Sequence, residues 1–116
     1  MLPRIPLCIL PTPCHLLPNL SQKLGSEIWI KRDDLTGFAG GGNKGRKLEF
    51  LLAEAVNKKA TAIVSCGATQ SNFIRQLGAA AITQGIKTHV ASMHSPYETP
   101  DRKPTGTLSQ GGNPQL

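Results

Sequence analysis

Lys44 stands directly after a glycine-rich run, Gly37-Phe38-Ala39-Gly40-Gly41-Gly42-Asn43, and at the predicted start of a helix. Backbone amides at a helix start and the neighbouring cations Arg46 and Lys47 favour a neutral amine over an ammonium. A neutral lysine amine is a nucleophile and can form a Schiff base with an aldehyde. The glycines before it let backbone approach a ligand closely. A solvated first-turn lysine accounts for the same residues and stays open as the plainer reading. A nucleotide phosphate loop fits less well, since that motif needs Gly before the lysine and Ser or Thr after it, and here Asn43 and Gly45 stand there.

A second constellation is Gly67-Ala68-Thr69-Gln70-Ser71-Asn72. It reads as a turn at the carboxyl end of a strand, where open α/β sheets bind ligands, and its amides and hydroxyls could hold a carboxylate. Simple helix capping by Ser71 is, for this turn alone, the commoner explanation.

These groups need elements to carry them. Residues 1 to 25 contain Pro3, Pro6, Pro11, Pro13 and Pro18, which remove donors and bias their predecessors toward extended backbone, so an irregular lead-in is expected. Glu27 to Arg32 has the β-branched and aromatic content of a short strand, with Trp29 in the core. Asn43 is expected to cap a helix whose buried stripe is Leu48, Leu51, Leu52, Ala55 and Val56, with Glu54 and Lys58 as a supporting pair. Arg46 and Lys47 are read as a solvated face of that helix. Thr61 to Cys66 reads as a strand, and Ser71 or Asn72 opens a second helix running through Ala81 and stopping at Gly85. Ile86 to Ala91 reads as a further strand. Strand, helix and strand in about 30 residues make a βαβ unit with a parallel pair, so the fold class is α/β. Beyond Ser95 the composition shifts to Pro, Gly, Ser, Thr, Asn and Gln, and disorder is expected there.

Composition narrows the function classes. The chain has room for one small unit, and no apolar run approaches the length that crosses a bilayer, so a soluble cytoplasmic protein is expected. Cys8, Cys14 and Cys66 are an odd number without metal-ligand spacing, which indicates reduced thiols and no metal site. The 13 Lys+Arg against 7 Asp+Glu give +6, but the basic residues are scattered and aromatics few, so an anionic small ligand is preferred over nucleic acid.

Three strings together are more specific than any one alone: Ile28-Trp29-Ile30-Lys31-Arg32-Asp33-Asp34-Leu35-Thr36-Gly37, Gly41-Gly42-Asn43-Lys44-Gly45-Arg46-Lys47-Leu48-Glu49-Phe50, and Gln70-Ser71-Asn72 with Arg75-Gln76. In order and spacing they resemble the D-cysteine desulfhydrase / 1-aminocyclopropane-1-carboxylate deaminase family, over roughly residues 5 to 92. This family belongs to the pyridoxal 5'-phosphate (PLP) enzymes related to the tryptophan synthase β-subunit. The resemblance implies that Lys44 binds the cofactor and later moves protons at the substrate carbon, that Asn43 and Asn72 lie against the cofactor, and that Gln70, Ser71 and Asn72 face the substrate, with Ser71 a second catalytic residue. It implies a partial fold of that type, in which residues 1–50 belong to the larger, cofactor-binding domain, residues 51–94 open a smaller α/β domain, and residues 95–116 form a disordered or divergent tail.

The implied activity is elimination of sulfide and ammonia from a small amino acid to give an α-keto acid. Aminocyclopropane-carboxylate deamination, cysteate sulfo-lyase chemistry and a non-catalytic truncated fragment are the alternatives. Full-length relatives are expected to be homodimers. The chain departs from the family at Phe73, where a polar residue is usual, and at Gly45, which lowers helix propensity by up to about 1 kcal/mol. A second glycine-rich loop for the phosphate is expected further on in relatives, so exposed strand edges and an uncovered helix face are expected here.

Overall fold

The structure is a computed structural model, and it describes residues 2–93. It is α/β. In chain order the elements are β1 (Cys14–Leu16), α1 (Pro18–Leu24), β2 (Trp29–Lys31), a 3-10 turn (Asp33–Leu35), α2 (Lys44–Asn57), β3 (Ala62–Ala68), α3 (Asn72–Ile82) and β4 (Lys87–Met93). The tail beyond Ser95, expected to be disordered, lies outside the described residues.

The expected βαβ unit is present. β3 and β4 pair in parallel from Ala62 opposite Lys87 to Ala68 opposite Met93, with α3 as the crossover. β3 runs through Gly67 rather than stopping there, and β4 starts one residue later than expected and extends to Met93. α3 ends at Ile82, and Gly85, with φ +66, supplies the left-handed turn into β4.

The lead-in is more ordered than its prolines suggest. β1 pairs antiparallel with β2, Cys14 opposite Lys31 and Leu16 opposite Trp29, and α1 lies between them. Pro18 opens α1, where its missing N–H has no intrahelical partner to lose, and Gly25 ends it in the left-handed region. β2 is three residues long, shorter than the expected span, and Trp29 is 58% exposed rather than core.

The core joins α2 to α3. Leu48 and Leu52 of α2 bury against Leu77, Ala80 and Ala81 of α3 and Ile86, with Ile5, Leu7, Phe38, Ala55, Ile63 and Phe73 packed around them. The expected stripe on α2 is corrected at two positions: Leu51 and Val56 are exposed, while Gly45, Glu49 and Ala53 share the buried face. The buried face therefore lies one step round the helix from the all-apolar stripe, because a charged residue, Glu49, is drawn inside. The outer side of β3 is open, with Val64 79% exposed, as the unpaired edges had implied.

Candidate active site

The loop that carries Lys44 is held from within. Gly42 donates its backbone N–H to the Asp33 carbonyl at 2.8 Å, Gly41 donates to the Phe38 carbonyl at 2.9 Å, and the buried Thr36 hydroxyl donates to the Gly42 carbonyl at 3.2 Å. Gly41 has φ +78, and a Cβ there would lie 2.0 Å from the Asp34 carbonyl oxygen, so no side chain fits. Lys44 follows as the first residue of α2, half-buried. The expected cap is absent: Asn43 is already in helical backbone (φ −76, ψ −11) and its side chain makes no cap hydrogen bond. A capping side chain needs extended backbone at that residue to fold back over the first turn.

The first two turns of α2 are clamped by charges. Arg46 grips Asp33 with two bonds, Nε to Oδ2 and Nη2 to Oδ1, both 2.8 Å, and the Thr12 hydroxyl donates to the same carboxylate at 2.7 Å. These bonds, the Arg46 guanidinium first, hold the Asp33 carboxyl down at about 2. Arg46 is thus not part of a solvated face but ties the helix start to the strand-end turn after β2. Lys47 does not lie idle either: its ammonium sits 4.1 Å from the centre of the Phe73 ring on α3.

Glu49, one turn beyond Lys44, is 1% exposed and was not singled out from the sequence. Its carboxylate accepts from Arg4 Nε at 2.7 Å and from the backbone N–H groups of Leu7 and Cys8 at 2.9 Å each. Burial pushes its carboxyl upward, but these donors outweigh burial and hold it below the ordinary range. The clue was available in the spacing of Gly45, Glu49, Leu52 and Ala53 along one helix face. Gly45 is buried beneath the same segment, and a Cβ there would lie 2.4 Å from Cys8 Sγ. Its small size therefore serves the packing of the lead-in.

The second constellation meets the loop at its glycines. Ser71 caps α3, its hydroxyl oxygen accepting from the Ile74 N–H at 3.3 Å. Asn72 opens α3, and its amide nitrogen lies 3.7 Å from the position a Gly42 Cβ would take. One turn on, Gln76 is fully buried and donates from Nε2 to the Gly41 carbonyl at 3.1 Å. Arg75 Nη2 reaches the same carbonyl at 3.5 Å. Gln70 sits in the turn, half-buried. The fold thus brings the turn holding Ser71 and Asn72 against the loop that carries Lys44.

The donor set fits PLP. Among the described residues the ion pairs are Arg4 with Glu49, Arg32 with Asp34, Arg46 with Asp33 and Lys58 with Glu54, so Lys44 takes part in none of them. The loop before it brings glycine backbone and, at Gly42, the Asn72 amide, groups that suit a polar, anionic aromatic ring. The groove of about 400 Å³ between α2, β3 and α3 is a different place: Leu48, Leu52, Ile63, Phe73 and Leu77 line it, and none of its walls carries Lys44.

Comparison with known proteins places the chain in a family. Residues 5–112 match the family described as pyridoxal-phosphate dependent enzyme, and the chain belongs to that family. Its relatives include the D-cysteine desulfhydrases of Salmonella paratyphi B and Salmonella newport, each 50% identical over 97 residues, which is 84% of this chain and 29% of theirs. Among solved structures it is similar to an ACC deaminase homologue, with a TM-score of 0.72 and 44% identity over 76% of this chain and 27% of that one. The chain therefore spans less than a third of the length of these proteins. The family resemblance, the α/β class and the PLP-dependent enzyme assignment expected from the three sequence strings are in agreement with these findings. No helix among the described residues is long and apolar enough to cross a membrane.

Proposed function

We propose that this chain carries the cofactor-lysine part of a PLP-dependent lyase of the D-cysteine desulfhydrase type, with Lys44 as the attachment point. The observation that carries the reading is the approach of Asn72 to Gly42, two residues before Lys44. Asn43 and Asn72 flank the cofactor, and Gln70, Ser71 and Asn72 face the substrate.

Bound PLP supplies an electron-withdrawing ring that stabilises negative charge at the substrate α-carbon. Lys44 would hold the cofactor, and its amine would take and return a proton at that carbon. Ser71 uses an acceptor position of its hydroxyl for the helix cap, which leaves the O–H to donate to a substrate carboxylate oxygen. Asn72, rooted in the first turn of α3, orients the ring. The substrate is a small thiol-bearing amino acid; with one water consumed, sulfide, ammonia and an α-keto acid leave.

In this proposal residues 1–50 belong to the cofactor-binding domain and residues 51–94 to the smaller one, the whole enzyme is a cytoplasmic homodimer, and neither nucleic acid nor a membrane is a partner. The likeness to the ACC deaminase homologue favours a second reading, deamination of aminocyclopropane-carboxylate.

The test is to mix the purified chain with PLP, record the visible spectrum, reduce with borohydride and map the labelled peptide. Label confined to Lys44, and absent from Lys44→Ala, supports the proposal; label scattered over many lysines sinks it. Substrates then separate the readings. D-cysteine should release sulfide with ammonia, aminocyclopropane-carboxylate ammonia alone, and release from neither by a chain labelled on Lys44 makes the segment a cofactor-binding fragment without turnover.

A further inference from the structure

Gln76 is a polar side chain whose burial packing alone does not explain. It is 0% exposed, yet its Oε1 has no hydrogen-bond partner among the described residues. An apolar side chain of the same length would fill the space without leaving a bare acceptor. The amide lies in a notch formed by the glycines on either side of Asn43-Lys44. A Cβ at Gly42 would fall 2.8 Å from Gln76 Nε2, and a Cβ at Gly45 would fall 3.4 Å from Gln76 Oε1. From that notch Nε2 donates to the Gly41 carbonyl at 3.1 Å, a bond that joins residues 35 apart in sequence.

Asn72 and Gln76 are four residues apart on α3, hence on one face, and both reach Gly42. α3 is itself fixed by Leu77, Ala80 and Ala81 in the core. The chain of restraint therefore runs from the core through α3 and Gln76 to the Gly41-Gly42 backbone, and from there to Lys44.

We infer that Gln76 is a positioning residue: its amide, seated between Gly42 and Gly45, sets where Lys44 stands relative to the Ser71-Asn72 turn. The inference deepens the proposed function and rests on Lys44 being the cofactor lysine. Gln76 touches neither cofactor nor substrate in this scheme. It acts by holding the loop.

The decisive variant is Gln76→Met in the full chain, with Gln76→Glu, which keeps the length but not the neutral amide donor, as a second. Three readouts are compared with the parent chain: denaturation midpoint, amide hydrogen exchange residue by residue, and the rate of borohydride-trapped PLP labelling at Lys44. The expected result for Gln76→Met is an unchanged or higher midpoint and unchanged exchange in α3 and β3. The Gly41–Lys44 amides should exchange faster, and Lys44 labelling should slow, each on the order of tenfold, matching the net worth of about one hydrogen bond. Gln76→Glu should loosen the same amides.

Two results overturn the inference: a Gln76→Met chain whose loop exchange and labelling equal the parent's, or one in which α3, β3 and the loop loosen together or the chain fails to fold. If the parent chain is not labelled at Lys44, the proposed function falls, and the exchange measurement alone still decides whether Gln76 fixes the loop.

Discussion

The Glu49 carboxylate and the Arg4 guanidinium meet at 2.7 Å across 45 residues of sequence, and the carboxylate end of this pair is 1% exposed. The bond pins the lead-in across the second turn of α2, next to the turn that carries Lys44. With the Leu7 and Cys8 amides also donating to it, Glu49 replaces with three bonds the water it has lost.

Replacing Glu49 by Ala strands those donors beside a cavity. A loss of about 2–4 kcal/mol is expected, from orphaned donors and an unpaired cation. Urea denaturation of Glu49→Ala against the parent measures it, and a loss below about 1 kcal/mol would show that water replaces the carboxylate without difficulty.

The Asp33 carboxyl, drawn down to about 2 by Arg46 and Thr12, gives a pH signature. Its folded-state value lies below its unfolded one, so its contribution is complete above about pH 4, the ordinary carboxylate value, and is lost as pH falls through the folded value near 2. The stability difference between the parent and Asp33→Asn should therefore be constant at neutral pH and shrink on acidification across that window. A difference that stays flat to pH 2 would mean that the Arg46 clamp is not formed in solution.

Burial, and after it the Glu49 charge, push the Cys8 thiol up, whereas Cys14 and Cys66 are exposed. Cys8 should be the slowest of the three to alkylate at mildly alkaline pH, by on the order of tenfold. Timed iodoacetamide labelling with peptide mapping checks the order, and equal rates at all three would place Cys8 at the surface.

Lys47 over the Phe73 ring links α2 to α3 by a contact that neither residue makes alone. A double-mutant cycle of Lys47→Met and Phe73→Leu should return a coupling of about 0.5–1 kcal/mol, as for a partly exposed cation–π pair. No coupling would leave Phe73 as core filler.

Much of this arrangement is visible in the residues. The βαβ unit follows from two short apolar runs around a helical pattern ended by Gly85, and the Ser71 cap follows from the residue type before Asn72. The Glu54–Lys58 pair forms at 2.6 Å as its spacing implies. What escaped is nonlocal. Nothing near Glu49 announces Arg4, and no spacing rule joins Gln76 to Gly41, so a buried carboxylate and a buried amide passed as ordinary helix residues. Arg46 reads as a solvated charge because Asp33 lies 13 residues earlier, across the glycine loop. Asn43 failed for a local reason: residue type suggests a cap, but backbone angles decide it.

Gly45 and Cys8 occupy, in effect, a single shared volume, since a Cβ on one would stand 2.4 Å from the sulfur of the other. That makes the order of mutation matter. A chain descending from this one cannot enlarge position 45 while the thiol remains where it is, but it can do so after position 8 has shrunk or the lead-in has shifted. Substitutions at position 45, otherwise welcome in a helix for any residue richer than glycine, are therefore inherited on the condition of an earlier change in a segment 37 residues upstream.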